Sequence, residues 1–302
     1  MPLESTATFA FVLNVAGGVD GISDAHARAI HAALGAGCGP IGWLAPGRAF
    51  DIAFAGDPAR ARSAARAAAA GAKLDVNVVP ASGRRKKLLI ADMDSTIICC
   101  ECIDELADMA GIKPKIAAIT DRAMRGELDF VAALRERVGL LKGLKVEALA
   151  RVYAERVRLN PGARALVATM RANGAYTVLV SGGFTYFTSR VAAEAGFDAH
   201  QGNVLLDDGQ ALTGAVAEPI LGREAKLEAL QRAAAERGLA LSETLGVGDG
   251  ANDLDMIRRS GLGVAYRAKP IVAEAAGAAV DHGDLTGLLY LQGYRESEII
   301  SR

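Results

Sequence analysis

Apolar and polar positions change rhythm part-way along this chain. In the first stretch, short apolar runs take turns with amphipathic segments. Residues 7–14 (Ala-Thr-Phe-Ala-Phe-Val-Leu-Asn) predict a strand, Gly17-Gly18 a turn, and residues 24–34 a helix. Two short strands follow at 41–44 and 50–55, parted by Pro46-Gly47. A second helix over 58–70, Ala-rich from Arg62 onward, and a strand over 73–79 complete the series. The order β-α-β-β-α-β is that of a small ferredoxin-like α+β domain. Pro80-Ala81-Ser82-Gly83 carries turn chemistry, so a boundary is expected there, with residues 1–82 as one domain and 83–302 as the other.

Beyond that turn the apolar residues come in unbroken runs. Leu88-Leu89-Ile90-Ala91 ends in Asp92, Thr177-Val178-Leu179-Val180 in Ser181-Gly182-Gly183, and Thr244-Leu245-Gly246-Val247 in Gly248-Asp249-Gly250; Leu262-Gly263-Val264-Ala265 is a fourth run. Runs without polar alternation are strands buried on both faces, as in a parallel sheet. With helical segments such as 162–173 and 223–237 between them, they predict an α/β fold with a Rossmann-like parallel sheet core. Ligands of such sheets bind beyond the carboxyl ends of the strands. Those ends carry Asp92, Asp94, Ser181 and Asp249. The insert after the first run, residues 101–160, is mostly helical, charged and too long for a simple crossover, so it predicts a helical cap over the same edge.

Composition removes several classes. At 302 residues, 51% hydrophobic and 23% charged, the chain buries a substantial core, which excludes intrinsic disorder. A net charge of −1 gives no field for nucleic acid or an anionic membrane. The basic cluster Arg84, Arg85, Lys86 and Lys87 is short and reads as a solvated lead into a strand. No apolar stretch approaches the ~20 residues of a spanning helix, and Met1-Pro2-Leu3-Glu4 does not open a secretory signal. The four cysteines, Cys38, Cys99, Cys100 and Cys102, suit a reducing compartment better than a disulfide framework. A cytoplasmic protein without nucleic-acid or membrane partners is expected.

Four segments carry candidate chemistry. Asp92-Met93-Asp94-Ser95-Thr96 sets one carboxyl directly after a buried strand, where rigid backbone aims it, and a second two residues on, placed for general acid and base work. The ordinary alternative is an acidic turn that caps a helix. Ser181-Gly182-Gly183 offers a hydroxyl and exposed backbone N–H groups for phosphoryl oxygens, or simply a tight turn. A serine-hydrolase elbow fails, because Leu179 stands where its first Gly belongs. Lys226, near a helix start, is a surface charge unless it neutralises phosphate and nearby carboxylates. In Gly248-Asp249-Gly250-Ala251-Asn252-Asp253, two carboxylates at i and i+4 suit a hard cation such as Mg²⁺. Gly246, Gly248 and Ala251 also fit the dinucleotide pattern G-x-G-x-x-A; this is discounted, because the aspartates would repel a pyrophosphate and the pattern comes late in the chain.

In combination and order these segments resemble the four motifs of the haloacid dehalogenase-like superfamily, and the second Asp of the first motif is similar to its phosphatase and phosphotransferase branches. The cap segment Arg125-Gly126-Glu127-Leu128-Asp129-Phe130, its continuation Leu134-Arg135-Glu136-Arg137-Val138, and Glu101 resemble the members acting on phosphoserine. The resemblance spans roughly residues 86–290. It implies a Mg²⁺-dependent phosphomonoester hydrolase that converts O-phospho-L-serine to L-serine and phosphate, the last step of serine biosynthesis. It further implies that Asp92 attacks phosphorus to form an aspartyl-phosphate, and that Asp94 serves as acid and then base. Ser181, Gly182 and Lys226 would hold the phosphoryl group, with Asn252 contacting it or the metal's water shell. Mg²⁺ would be bound by Asp92, the Asp94 carbonyl and Asp249, with Asp253 in support. Glu101 would take the substrate ammonium, Arg137 its carboxylate, and Phe130 would close the pocket. Phe130 and Arg137, seven apart, share one helical face.

Two features stand outside that set. Cys99, Cys100 and Cys102 lack a fourth ligand at standard zinc spacing and read as small buried thiols, near enough to the first motif to predict sensitivity to oxidants. The N-terminal unit loosely resembles ACT-type regulatory domains in element order and in Gly17-Gly18. Homodimerisation, sensing of free serine and a ligand-free scaffold are its three readings, dimerisation being preferred.

Overall fold

The structure, a computed structural model, describes residues 9–18, 20–69, 71–124 and 127–301. Residues 7, 8 and 70 of the predicted elements, and Arg125 and Gly126 of the cap segment, lie outside the described residues. The N-terminal unit comprises β1 (Phe11–Gly17), α1 (Asp24–Leu34), β2 (Gly42–Ala45), β3 (Ala49–Phe54), α2 (Pro58–Ala68) and β4 (Leu74–Pro80). Its sheet has the order β2-β3-β1-β4 with every neighbouring pair antiparallel, the ferredoxin-like arrangement. Strand β1 runs further than its apolar run predicts because it is central, pairing out to Gly17 with Leu74. Helix α2 starts where Asp57 accepts the N–H groups of Ala59 (2.7 Å) and Arg60 (2.9 Å), with Pro58 in the first helical position.

After Gly83 the chain forms β5 (Leu88–Ala91) and then four cap helices: α3 (Cys102–Met109), α4 (Lys113–Met124), α5 (Phe130–Gly139) and α6 (Glu147–Glu155). It continues through α7 (Ala163–Ala172), β6 (Tyr176–Phe184), α8 (Thr185–Ala195), β7 (Ala199–Asn203) and an antiparallel pair, β8 (Leu205–Asp207) with β9 (Leu212–Val216). Then come α9 (Glu224–Glu236), β10 (Thr244–Gly248), α10 (Leu254–Arg259), β11 (Leu262–Tyr266), α11 (Pro270–Ala275), β12 (Ala278–Val280) and α12 (Gly287–Leu291). Six strands form a wholly parallel sheet in the order β12-β11-β10-β5-β6-β7. Each apolar run serves two cores at once. Leu89 and Ala91 face one side with Leu179, Leu245 and Val247, while Leu88 and Ile90 face the other with Val178, Val180 and Leu230. Winding runs outward from β5 in both directions, so the chain reverses at the β5/β10 boundary. That boundary is the topological switch point where such sheets open a crevice.

The small sheet is covered on both faces. Leu13, Val15, Phe50, Ile52 and Val76 pack under its own helices. On the other face, Val12 and Val79 join the main core and Ala16 and Ala49 meet Tyr290. Polar anchors lock this contact. Asp75 accepts N–H groups from Asp281 (2.8 Å), His282 (3.0 Å) and Gly283 (2.8 Å), and the Asn77 amide pairs with both backbone groups of Ala279 (2.8 and 2.9 Å). Arg84 corrects one expectation. Rather than being solvated, it is half-buried and donates to Asp51 (2.5 Å) and to the carbonyls of Leu291 and Tyr290 (both 3.0 Å). Among the described residues no helix is long and apolar enough to cross a membrane.

Candidate active site

Asp92 leaves the end of β5 and Asp249 the end of β10, the two strands that flank the switch point. Between them the chain after Asp92 makes a wide turn: Ile98 N–H donates to the Met93 carbonyl (3.0 Å), and Ser95 adopts a left-handed conformation at φ 56°. Asp94 is extended inside this turn (φ −65°, ψ 137°), so the backbone changes direction between the two carboxyls. Here the turn sends the two carboxyls of the first motif into different surroundings.

Asp92 is buried and accepts the N–H of Met93 (2.8 Å) and the ammonium of Lys226 (2.8 Å). Lys226 reaches it from the first turn of α9 and also contacts Asp253 at 2.5 Å. It is 3% exposed, which overturns the surface-charge reading. Burial by itself would lower the lysine pKa, but Asp253 and Asp92 prevail and hold it above its ordinary value, so the ammonium persists. Burial, then Asp253, pushes the Asp92 carboxyl well up, against the pull of Lys226.

Asp94 faces the other way. It accepts the Ser181 hydroxyl (3.0 Å) and the N–H of Cys102 (2.9 Å), and burial followed by the charge of Glu101 pushes it up to about 6. Ser181 Oγ also receives the N–H of Gly183 (2.8 Å). A Cβ on Gly182 would stand 2.9 Å from the Phe130 ring, which covers this turn from the start of α5 and would have to shift.

Asp249 accepts the Thr96 hydroxyl (2.9 Å), and burial, with help from Asp253 and Glu101, raises its carboxyl to about 6. One Asp253 oxygen takes Lys226 and the other the N–H of Gly250 (2.9 Å), and a side chain on Gly248 would collide with that carboxylate. Asn252 sits half-buried on the same loop. Carboxylate oxygens of Asp92, Asp249 and Asp253 lie within 4.8 Å of one another. This all-oxygen donor set fits a hard divalent cation. The carboxyl of Asp94 is not part of it, so only that residue's backbone remains for such a role.

In the cap, Glu101 accepts the Ser95 hydroxyl (2.6 Å), and its charge acts on Asp94, Asp249 and Arg137 alike. Arg137 is half-buried, and its Nε donates to the Ala133 carbonyl (3.2 Å). Burial lowers its pKa, opposed by Asp104 and Glu101. Asn203 and Asn160 are organising residues with no local sequence signal. The Asn203 amide ties the Gly182 carbonyl (2.8 Å) to both backbone groups of Leu221, joining the Ser181 turn to the approach of α9. Asn160 donates to the carbonyls of Thr96 (2.8 Å) and Ile98 (3.1 Å).

This chain belongs to the haloacid dehalogenase-like hydrolases, whose family model matches residues 89–258. Within that class its relatives include a phosphoserine phosphatase of Streptomyces coelicolor, 43% identical over 258 residues that cover 84% of this chain and 62% of the relative. A phosphoserine phosphatase of Polaromonas sp. is 46% identical over 210 residues, covering 68% of this chain and 89% of the relative. The chain thus spans less than two thirds of the first relative's length and most of the second's. The crystal structure of a probable phosphoserine phosphatase from Vibrio cholerae superposes with a TM-score of 0.77 at 30% identity, covering 96% of this chain and 88% of the other.

Proposed function

We propose that this chain is a phosphoserine phosphatase: it hydrolyses O-phospho-L-serine to L-serine and phosphate, with Asp92 as nucleophile and Asp94 as acid and base. The observation that carries the reading is the separation of these two carboxyls, one against Lys226 and two further aspartates, the other against Ser181. Pairs of acids whose surroundings differ in this way divide nucleophilic and proton-transfer work. The relatives' activity supports the substrate.

In the first step an Asp92 oxygen bonds to phosphorus as the ester P–O bond breaks, and protonated Asp94 gives its proton to the departing serine oxygen. In the second, Asp94, now a carboxylate, takes a proton from water as that water attacks phosphorus and the P–O bond to Asp92 breaks. Ser181, the N–H groups of its glycine turn and Lys226 hold the phosphoryl oxygens, and Asn252 contacts them from the facing loop. Three carboxylates (Asp92, Asp249, Asp253) against one ammonium (Lys226) leave two negative charges. A divalent cation, Mg²⁺ by our reading, would be held by Asp92, Asp249 and the Asp94 carbonyl, with Asp253 in support; when bound it offsets those charges and stabilises the phosphoryl oxygens. Glu101 and Arg137 take the substrate's ammonium and carboxylate, and Phe130 excludes water. Residues 83–302 form the catalytic unit, residues 1–82 an ACT-like unit for homodimerisation or serine sensing, and the protein is placed in the cytoplasm.

The test is phosphate release from a panel of phosphomonoesters by wild type and Asp92→Asn, with and without Mg²⁺. Preference for phosphoserine, lost with EDTA and reduced on the order of 10³-fold or more in the variant, is expected. Equal turnover of unrelated monoesters would refute the substrate, and an active variant the nucleophile.

A further inference from the structure

A cleft of about 650 Å³ lies between the N-terminal unit and the main sheet, and none of its lining residues belongs to the acidic cluster. Its walls carry Arg62 and Arg66 from α2, Asp75 from β4, Glu274 from α11, and Asp281 and His282 just beyond β12. We propose that this cleft binds a small oxyanion, a carboxylate or a phosphate, between the guanidinium groups of Arg62 and Arg66. The inference does not depend on the activity proposed above.

Three observations carry it. First, Arg62 and Arg66 are one helical turn apart and present two like charges to the same opening, yet neither forms an ion pair among the described residues. Second, Arg62 Nε is closed off from solvent and has no hydrogen-bond partner. Buried donors are nearly always satisfied, so this guanidinium is held at the cleft without the protein acceptor such a group ordinarily has. Third, Asp75 in the same wall is already committed. Both Asp75 oxygens are taken by the N–H groups of residues 281–283, with distances of 2.8–3.0 Å. Glu274 and Asp281 are exposed to solvent. The repulsion between the two arginines is felt at Arg62, whose pKa falls through burial and the charge of Arg66. An anion with two oxygens matches the planar donor fork of a guanidinium's terminal nitrogens and removes the repulsion.

The measurement is equilibrium dialysis of the full chain against labelled inorganic phosphate and, separately, labelled acetate, for wild type and Arg62→Gln/Arg66→Gln. The double variant should bind one equivalent fewer than wild type of the anion the cleft accepts. Loss with phosphate alone selects phosphate, loss with acetate alone selects a carboxylate, and loss with both selects either. Equal stoichiometry for both anions overturns the site. Unchanged phosphatase turnover reports an intact fold, since neither arginine belongs to the catalytic machinery. Should the double variant not fold, Arg66→Gln at its exposed position weakens the same equivalent about tenfold or more, and unaltered affinity there overturns the site equally.

Discussion

Lys226 is a buried cation clasped by Asp92 and Asp253, so removing it strands two carboxylates in a site that cannot hydrate them. Lys226→Met should lower the unfolding free energy by about 3–5 kcal/mol in urea titrations with EDTA present, and Asp253→Asn added to it should recover part of that loss. The thiols beside the first motif make a separate prediction. A hydrogen bond from Cys102 lowers the Cys100 pKa, and the Cys102 N–H holds Asp94, so alkylation at Cys100 should inactivate the enzyme and Cys100→Ser should protect it. Retained turnover after complete labelling would refute this. Asp92, Ser181 and Asp249 were legible in the sequence because the first two directly follow an unbroken apolar run and the third follows one after a single glycine. Thr96 was part of the first motif, but its bond to Asp249, 153 residues on, was not legible, and no local pattern marks Asn203.

At the scale of elements, Asn160 helps to join the two ends of the cap, beside the Ile98–Leu159 bridge and the Cys99 N–H bond to the Arg158 carbonyl (3.0 Å). Asn160 donates its side chain to Thr96 and Ile98, and its backbone N–H to Ile97 (2.8 Å), so both ends of the insert are pinned together. Asn160→Ala should cost about 1–3 kcal/mol in thermal or urea unfolding, and should raise the KM for phosphoserine as the cap residues loosen. A change in stability with no change in KM would separate the pin from substrate capture. In the cap itself, Arg137→Ala should weaken kcat/KM for phosphoserine about 10- to 100-fold while sparing an aryl phosphate. The four apolar runs announced four strands of the main sheet. Strand β7 (Ala-His-Gln-Gly-Asn) is an edge strand with little apolar content, and β12 has three residues, so neither shows the periodicity of a buried strand.

For the whole molecule, the decisive fact is that the small sheet has no free face. The linker chemistry of residues 80–83 marked a boundary along the sequence, but sequence order could not reveal that Asp75, Asn77 and Arg84 would each bind residues some 200 positions away. Because the contact combines apolar burial with buried hydrogen bonds, wild type should melt in one calorimetric transition. Arg84→Ala strips several of those anchors and leaves Asp51 without its ion-pair partner, so it should split the melt in two, with the N-terminal unit opening first. A single, merely shifted transition would show that packing alone couples the units.

The docked face of that sheet also carries a consequence for biosynthesis. Asn14, Asp75 and Asn77 are made more than 200 residues before their partners at Tyr290, Asp281 and Ala279. At about 5–20 residues per second, roughly 10–40 s pass between residue 80 and residue 290 on the ribosome. Throughout that interval the nascent N-terminal unit carries an uncovered apolar surface, and it is sealed only when the closing helix emerges.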